Sequence, residues 1–191
     1  MEKEGINMKI NVGISNRHVH LTKEDFQILF DKEELTKRND LTQPKEFASN
    51  EIVTLETSKN KIEKVRVLGP FRNYTQVEIS KTDSIKLGLN PPVRNSGDLN
   101  GAESITIIGP NGKIERKSCI IATRHIHITP EEKEKLGLGD IVKVKIPGEK
   151  GATLDNVHVK ANPNYKYELH LDTDDANANL IKQNDEVEII K

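Results

Sequence analysis

The chain has 191 residues, 34% of them hydrophobic and only 4% aromatic, and its 29 Lys and Arg nearly balance 30 Asp and Glu for a net charge of -1. That balance excludes a general attraction to nucleic acid or to an anionic membrane, so any anion the protein binds has to be captured locally. The one cysteine, Cys119, allows no intramolecular disulfide and suits a reducing cytosol, while no apolar run approaches the roughly 18 residues a membrane span needs.

In chain order, Met1-Glu2-Lys3-Glu4 begins neither a secretory signal nor an amphipathic anchor. Lys9-Ile10-Asn11-Val12-Gly13-Ile14 alternates polar and apolar residues and reads as a first strand. It leads through Ser15-Asn16 into Arg17-His18-Val19-His20, a tetrapeptide that returns as Arg124-His125-Ile126-His127. In an extended strand the side chains at i and i+2 share a face. Each copy is therefore a two-imidazole claw with Val19 or Ile126 anchoring the opposite face, an arrangement suited to a first-row metal such as zinc. One His-x-His in a strand is usually two half-exposed residues, but two copies in a shared context point to metal.

Thr22 reads as an N-cap with Asp25 at N3 and an apolar stripe of Phe26, Leu29 and Phe30 behind it, so the first claw is followed by a helix. The stretch 31–50 is polar and suits a loop with short pieces of structure. Ile52-Val53-Thr54-Leu55 and Ile62-Glu63-Lys64-Val65-Arg66-Val67 flank the turn-prone Ser58-Lys59-Asn60-Lys61 and predict a hairpin, broken by Gly69-Pro70. Thr75-Gln76-Val77-Glu78-Ile79-Ser80 is another alternating strand with Gln76, Glu78 and Ser80 on one face. A carboxylate facing inward is costly unless paired or bound to metal, which makes Glu78 a ligand candidate. A short helix over 81–87 ends at Gly88, and Pro91-Pro92 with Asn95-Ser96-Gly97-Asp98 marks the best boundary between halves.

The second half repeats the plan. Ile105-Thr106-Ile107-Ile108-Gly109-Pro110 echoes Val65-Arg66-Val67-Leu68-Gly69-Pro70, and the second claw runs into the capping box Thr129-Pro130-Glu131-Glu132. From Ile141 onward strands dominate, and in Glu168-Leu169-His170-Leu171-Asp172 the carboxylate of Asp172 shares a face with His170, either to orient that imidazole or to cap the next helix. Cys119, inside Cys119-Ile120-Ile121-Ala122, reads as a small core residue rather than a nucleophile, and His158 as a bystander. Many short strands with brief helices predict a mainly β fold of two related β-barrels with short capping helices, divided as 1–92 and 93–191, with exchange of segments between the barrels left open. Five histidines and one glutamate could hold two metal ions with open coordination positions, and Arg72 beside the Gly69-Pro70 break suits an oxyanion. On the residues alone this supports a metal-dependent transferase or hydrolase of an anionic substrate.

The motifs around Ser15–Leu21, Val65–Pro70 with Arg72, Thr75–Ser80, Arg124–His127 and His170–Ala178, in that order along the chain, resemble the PduL-type phosphate propanoyltransferase family. The resemblance implies a phosphotransacylase that moves a short acyl group, acetyl or propanoyl, reversibly between CoA and inorganic phosphate, at a dinuclear zinc site lying between two β-barrels. By motif position His18, His20 and Glu78 would hold one metal and His125, His127 and His170 the other, Arg72 would engage phosphate, and Ser15, Arg66 and Asn177 would contact CoA. The chain departs from the pattern at Thr57-Ser58-Lys59-Asn60-Lys61, which lacks a glycine-rich turn, and at Cys119, where glycine is common. Microcompartment members of the family often carry an amphipathic N-terminal extension. Only about ten residues without an apolar stripe precede the first strand here, so a free cytoplasmic enzyme is expected, with acyl-CoA and phosphate as its partners and a homo-oligomer left open. A dinuclear thioester or phosphoester hydrolase and a non-catalytic metal-stabilised module are the rival readings.

Overall fold

A computed structural model describes residues 8–190, so the expectations resting on Met1-Glu2-Lys3-Glu4 and on the lack of an N-terminal extension lie largely outside the described residues. The elements run β1 (Lys9–Ser15), β2 (His18–His20), α1 (Lys23–Phe30), β3 (Lys37–Asp40), β4 (Phe47–Glu56), β5 (Lys61–Gly69), β6 (Gln76–Glu78), α2 (Lys81–Leu87) and β7 (Val93–Arg94). They continue with β8 (Glu103–Ile108), β9 (Lys113–Ala122), β10 (His125–Ile128), α3 (Pro130–Leu136), β11 (Ile141–Ile146), β12 (Ala152–Ala161), β13 (Glu168–Asp172), α4 (Thr173–Ala178) and β14 (Glu186–Ile190). Among the described residues no helix is long and apolar enough to cross a membrane.

The strands form two closed six-stranded barrels. One has the ring order β1-β13-β10-β12-β11-β14. The other follows β4-β5-β2-β6-β9, and β8 closes it by pairing with both β9 and β4. The alternation that marks the strands decides their faces: in β11 each of Val142, Val144 and Ile146 is buried while Ile141, Lys143 and Lys145 face out. Each barrel has its own core, one built from residues such as Ile10, Val12, Ile126, Val144 and Leu169, the other from residues such as Val19, Leu55, Val67, Val77 and Ile107. The claw anchors Val19 and Ile126 are fully buried in these cores, each worth about 1.5–3 kcal/mol of transfer free energy.

The expected halves, 1–92 and 93–191 with exchange of segments left open, can be set beside the way the strands pair. The compact units are 16–123 and, separately, 1–15 with 124–191, so position 92/93 falls inside the first of these, between α2 and β7. The reason lies in strand pairing. β1 precedes the first claw in sequence but adds in parallel to β13 (Val12↔Leu169, Ser15↔Asp172), while β9 precedes the second claw but adds in parallel to β6 (Val77↔Cys119, Glu78↔Ile120). Each barrel thus takes one strand from the other's stretch of sequence. Matched from β4 and β11 respectively, the two rings have the same sequence of parallel and antiparallel pairings, so the repeat is β1–β8 followed by β9–β14. The echo between 65–70 and 105–110 is not part of it, because β5 and β8 belong to one ring.

The caps expected from sequence form as local hydrogen-bonding chemistry requires. Thr22 caps α1 by accepting from the Asp25 backbone N–H, and Thr129 with Glu132 completes a capping box on α3. Gly88 ends α2 and Gly137 ends α3 in the left-handed conformation that glycine adopts without strain. Cys119 is fully buried in β9, and burial pushes its thiol pKa up to about 12, as befits a core residue.

Candidate metal centres

Each claw is laid against a partner strand in a register that brings up a third donor. Antiparallel pairing of β2 with β6 sets His18 opposite Glu78 and His20 opposite Gln76. In the other barrel, β10 against β13 sets His125 opposite His170 and His127 opposite Glu168. Directly opposed residues share a face, so two side chains from the claw and two from the partner strand converge on one spot. One donor atom from each of His18, His20 and Glu78 lies within 4.8 Å of the others, and the same holds for His125, His127 and His170.

The first cluster is buried, and its hydrogen bonds orient it. Nδ1 of His18 lies 2.8 Å from the Asn16 carbonyl oxygen and so carries the proton, leaving Nε2 as the donor atom, 3.6 Å from Oε2 of Glu78. Burial alone would depress the His18 imidazole, but the Glu78 carboxylate offsets this and its pKa is raised. His20 is held well below the usual histidine range, first by burial and then by having the His18 ring and the Arg72 guanidinium beside it, either of which would repel a second proton, so it presents a neutral ring. Its Nδ1 is buried and makes no hydrogen bond of normal geometry among the described residues, although the backbone of its strand neighbour Leu68 offsets part of the shift. Two imidazoles and a carboxylate in one cluster, and three imidazoles in the other, fit a zinc-type divalent ion, with coordination positions left for other ligands.

Arg72 is linked to the first cluster through Ser96, whose Oγ accepts from both Arg72 Nη1 and Gln76 Nε2, the amide that also donates to Glu78. Its backbone N–H donates to Leu21 O, following directly on the claw. The guanidinium Nη1 donates to Tyr74 Oη (3.1 Å) and Ser96 Oγ (2.9 Å), and Nη2 to Glu46 Oε1 (3.1 Å). A carboxylate on one arm of the fork is the interaction an oxyanion would replace.

The residues expected to contact CoA are distributed as follows. Arg66, on β5, is the parallel-strand neighbour of His18, and its Nη1 donates to the Ser49 and Asn50 carbonyls. Ser15 ends β1 opposite Asp172, while Asn177 is exposed on α4, the helix that Asp172 caps. Ser15 and Asn177 thus lie in one unit and Arg66 in the other. The orienting role offered for Asp172 goes elsewhere: its carboxylate accepts from the Asp175 N–H as the cap, and Nε2 of His170 is bonded at 2.7 Å to Glu168. Sequence reading passed over Glu168, though the i, i+2 rule that put Asp172 beside His170 applies equally to it. Gln76 lies on the face it was expected to share with Glu78, though without an expected role, while Tyr74, Ser96 and Glu46 carry no local pattern. His158 is the strand neighbour of His125 but not one of the converging donors.

The fold and these clusters fall within a stretch that matches known proteins. A family model described as phosphate propanoyltransferase matches residues 11–182. A phosphate propanoyltransferase of Priestia megaterium is 51% identical over 180 residues, covering 92% of this chain and 83% of that protein. One from Thermotoga maritima is 48% identical, covering 95% and 89%, and one from Escherichia fergusonii is 43% identical, covering 88% and 82%. Matches of this extent run through both claws, both partner strands and Arg72, and the chain belongs to the phosphate propanoyltransferase family.

Proposed function

We propose that the protein is a phosphate acyltransferase that moves a short acyl group, acetyl or propanoyl, reversibly between CoA and inorganic phosphate, with one divalent ion, zinc by its donor set, at each three-residue cluster. The observation that carries the metal part is the register: both claws face a partner strand that supplies the third donor, Glu78 or His170. The relatives' shared name supports the acyl transfer, and nothing about them favours the hydrolase alternative.

In the reaction a phosphate oxygen forms a bond to the thioester carbonyl carbon, the C–S bond breaks and CoA leaves as the thiolate. Bound divalent ions would supply Lewis acidity for the phosphate oxygens and the departing sulfur. Arg72 holds phosphate by its fork, with Nη2 exchanging Glu46 for a phosphate oxygen while Tyr74 and Ser96 keep the guanidinium plane in place. His18 directs its Nδ1–H to the Asn16 carbonyl so that Nε2 faces Glu78, and burial keeps the His20 ring neutral. Ser15, Arg66 and Asn177 are assigned to CoA. No protein nucleophile takes part, in keeping with the buried, weakly acidic Cys119 thiol.

The test is CoA release from acetyl-CoA and propanoyl-CoA by metal-analysed protein, with and without phosphate, trapping acyl phosphate as its hydroxamate. Release that requires phosphate and yields hydroxamate, with about two ions per chain as the two clusters require, is the expected result. Release indifferent to phosphate would assign a hydrolase instead.

A further inference from the structure

Beyond the three donors, each cluster has a fourth side chain that touches it without joining it. Gln76 lies opposite His20 and Glu168 lies opposite His127, so the two occupy equivalent places in the two rings. Each bonds the ligand candidate two residues further along its own strand: Gln76 Nε2 to Glu78 Oε1 at 2.6 Å, and Glu168 Oε2 to His170 Nε2 at 2.7 Å. Both are buried.

The residue type is matched to the ligand it holds. Gln76 accepts the Gly97 N–H on Oε1 (2.8 Å), and a backbone N–H can only donate, so the amide must turn Nε2 towards Glu78 and Ser96. A carboxylate ligand thereby receives a neutral donor on one oxygen. Glu168 does the converse, accepting the proton of His170 Nε2 and leaving Nδ1 as that ring's lone pair. Each partner strand therefore carries one carboxylate and one neutral residue, in opposite order, so the two clusters have the same formal charge from different donor sets. The second barrel also makes room for its buried carboxylate: a Cβ on Gly13 would lie 2.9 Å from both Cδ and Oε1 of Glu168, closer than real Cβ atoms come.

We infer that Gln76 and Glu168 are equivalent positioning residues, Gln76 orienting Glu78 and Glu168 fixing the tautomer and ring of His170, so that each sets the metal affinity of its own cluster. The inference rests on the two-ion reading above. Hydrogen-bonded partners of this kind typically contribute 10–100-fold to metal affinity.

The test is competitive zinc titration of the purified protein against a chromophoric chelator, together with the visible absorption of the cobalt-loaded protein. Wild type is expected to bind two equivalents. Glu168→Ala should weaken one of them about tenfold or more and shift the cobalt bands, Glu168→Gln should recover part of the loss because its carbonyl still accepts from the imidazole, and Gln76→Glu should weaken the other equivalent. Gly13→Ala, which alters no polar group but crowds both Glu168 and the His170 ring, the latter at 3.1 Å from Cδ2, should weaken the same equivalent; Glu168→Gln, closest in shape, serves as the test if the alanine variant does not fold. Two unweakened equivalents with an unchanged cobalt spectrum in Glu168→Ala, or in Glu168→Gln where the alanine variant does not fold, and in Gln76→Glu, would overturn the inference while leaving the metal reading intact. A wild-type protein that binds no zinc or cobalt would overturn the metal reading, and the inference with it.

Discussion

Replacing Arg72 by alanine separates structure from chemistry at the proposed phosphate position. The side chain makes three hydrogen bonds, to Tyr74, Ser96 and Glu46, but it is 21% exposed and the Glu46 side chain 31% exposed, so water can take over when it is removed. The stability cost is then about 1 kcal/mol, with the backbone bond to Leu21 O unaffected. The expected loss in turnover is much larger. Removing one preorganised donor from the place where oxyanion charge develops typically costs about 10²–10³ in rate, roughly 3–4 kcal/mol. Arg72→Lys keeps the charge but loses the fork, and should fall between alanine and wild type. Initial rates over a range of phosphate concentrations, on protein whose metal content and thermal midpoint are measured in the same preparation, give kcat and KM separately. If Arg72→Ala turned over within about threefold of wild type at saturating phosphate, a difference under 1 kcal/mol, Arg72 could not be a phosphate-binding group in the transition state.

Glu46 competes with phosphate for Nη2 of Arg72, so Glu46→Gln should lower the KM for phosphate a few-fold and leave kcat nearly unchanged, in line with the roughly 0.2–1 kcal/mol of a partly exposed ion pair; an unchanged or raised KM would remove Glu46 from that role. Dialysis against a zinc chelator should abolish acyl transfer and zinc should restore it, whereas full activity in metal-free protein would rule out the metal proposal. With its pKa pushed up to about 12, Cys119 should resist iodoacetamide at pH 8 in the folded protein, and Cys119→Ala should keep its turnover at a cost of about 1 kcal/mol in stability. Buried Glu51 loses hydration, but hydrogen bonds including the Thr36 N–H, with Lys32 beside it, hold its pKa below the usual carboxylate value. Its contribution, about 1 kcal/mol, is therefore present above the unfolded carboxylate pKa and fades as pH falls through the folded one. Urea midpoints for wild type and Glu51→Gln should differ at pH 7 and converge near pH 3.

What the sequence disclosed followed from local rules. The claws, the hairpin of β4 and β5, α2 up to Gly88 and the capping box of Thr129 and Glu132 each depend on residues within a few positions of one another, and each lies where its pattern puts it. The mainly β, two-barrel architecture followed from strand density. The pairing of β1 with β13 and of β9 with β6 did not, because nothing inside Lys9–Ser15 or Lys113–Ala122 records which distant edge each strand completes. The register that makes Gln76 and Glu168 equivalents is hidden likewise, because it depends on which strand each claw pairs with. Ser96 and Glu46 reach Arg72 from segments more than twenty residues away, a proximity created by ring closure.

The arginine that opens each tetrapeptide invites reading as an anion binder, and its partners argue otherwise. Arg17 Nη1 donates to Asp83 Oδ1 at 2.9 Å, and Arg124 forks onto both oxygens of Asp175 at 2.8 and 2.7 Å. Asp83 and Asp175 hold the same place, the third residue after the caps Ser80 and Asp172, in the helices that follow the two partner strands. Each arginine therefore ties the start of a claw strand to the helix just beyond the strand that supplies the third donor. Carboxylates in the first turn of a helix are already favoured by its dipole, so the pair is anchored on both sides. The pairing of β2 with β6, and of β10 with β13, is then fixed by more than its few ladder bonds, and a slip of one residue would turn Glu78 or His170 to the opposite face. With three-residue strands such as β2 and β6, that outside restraint is what makes two short claws able to hold three donors within 4.8 Å of one another.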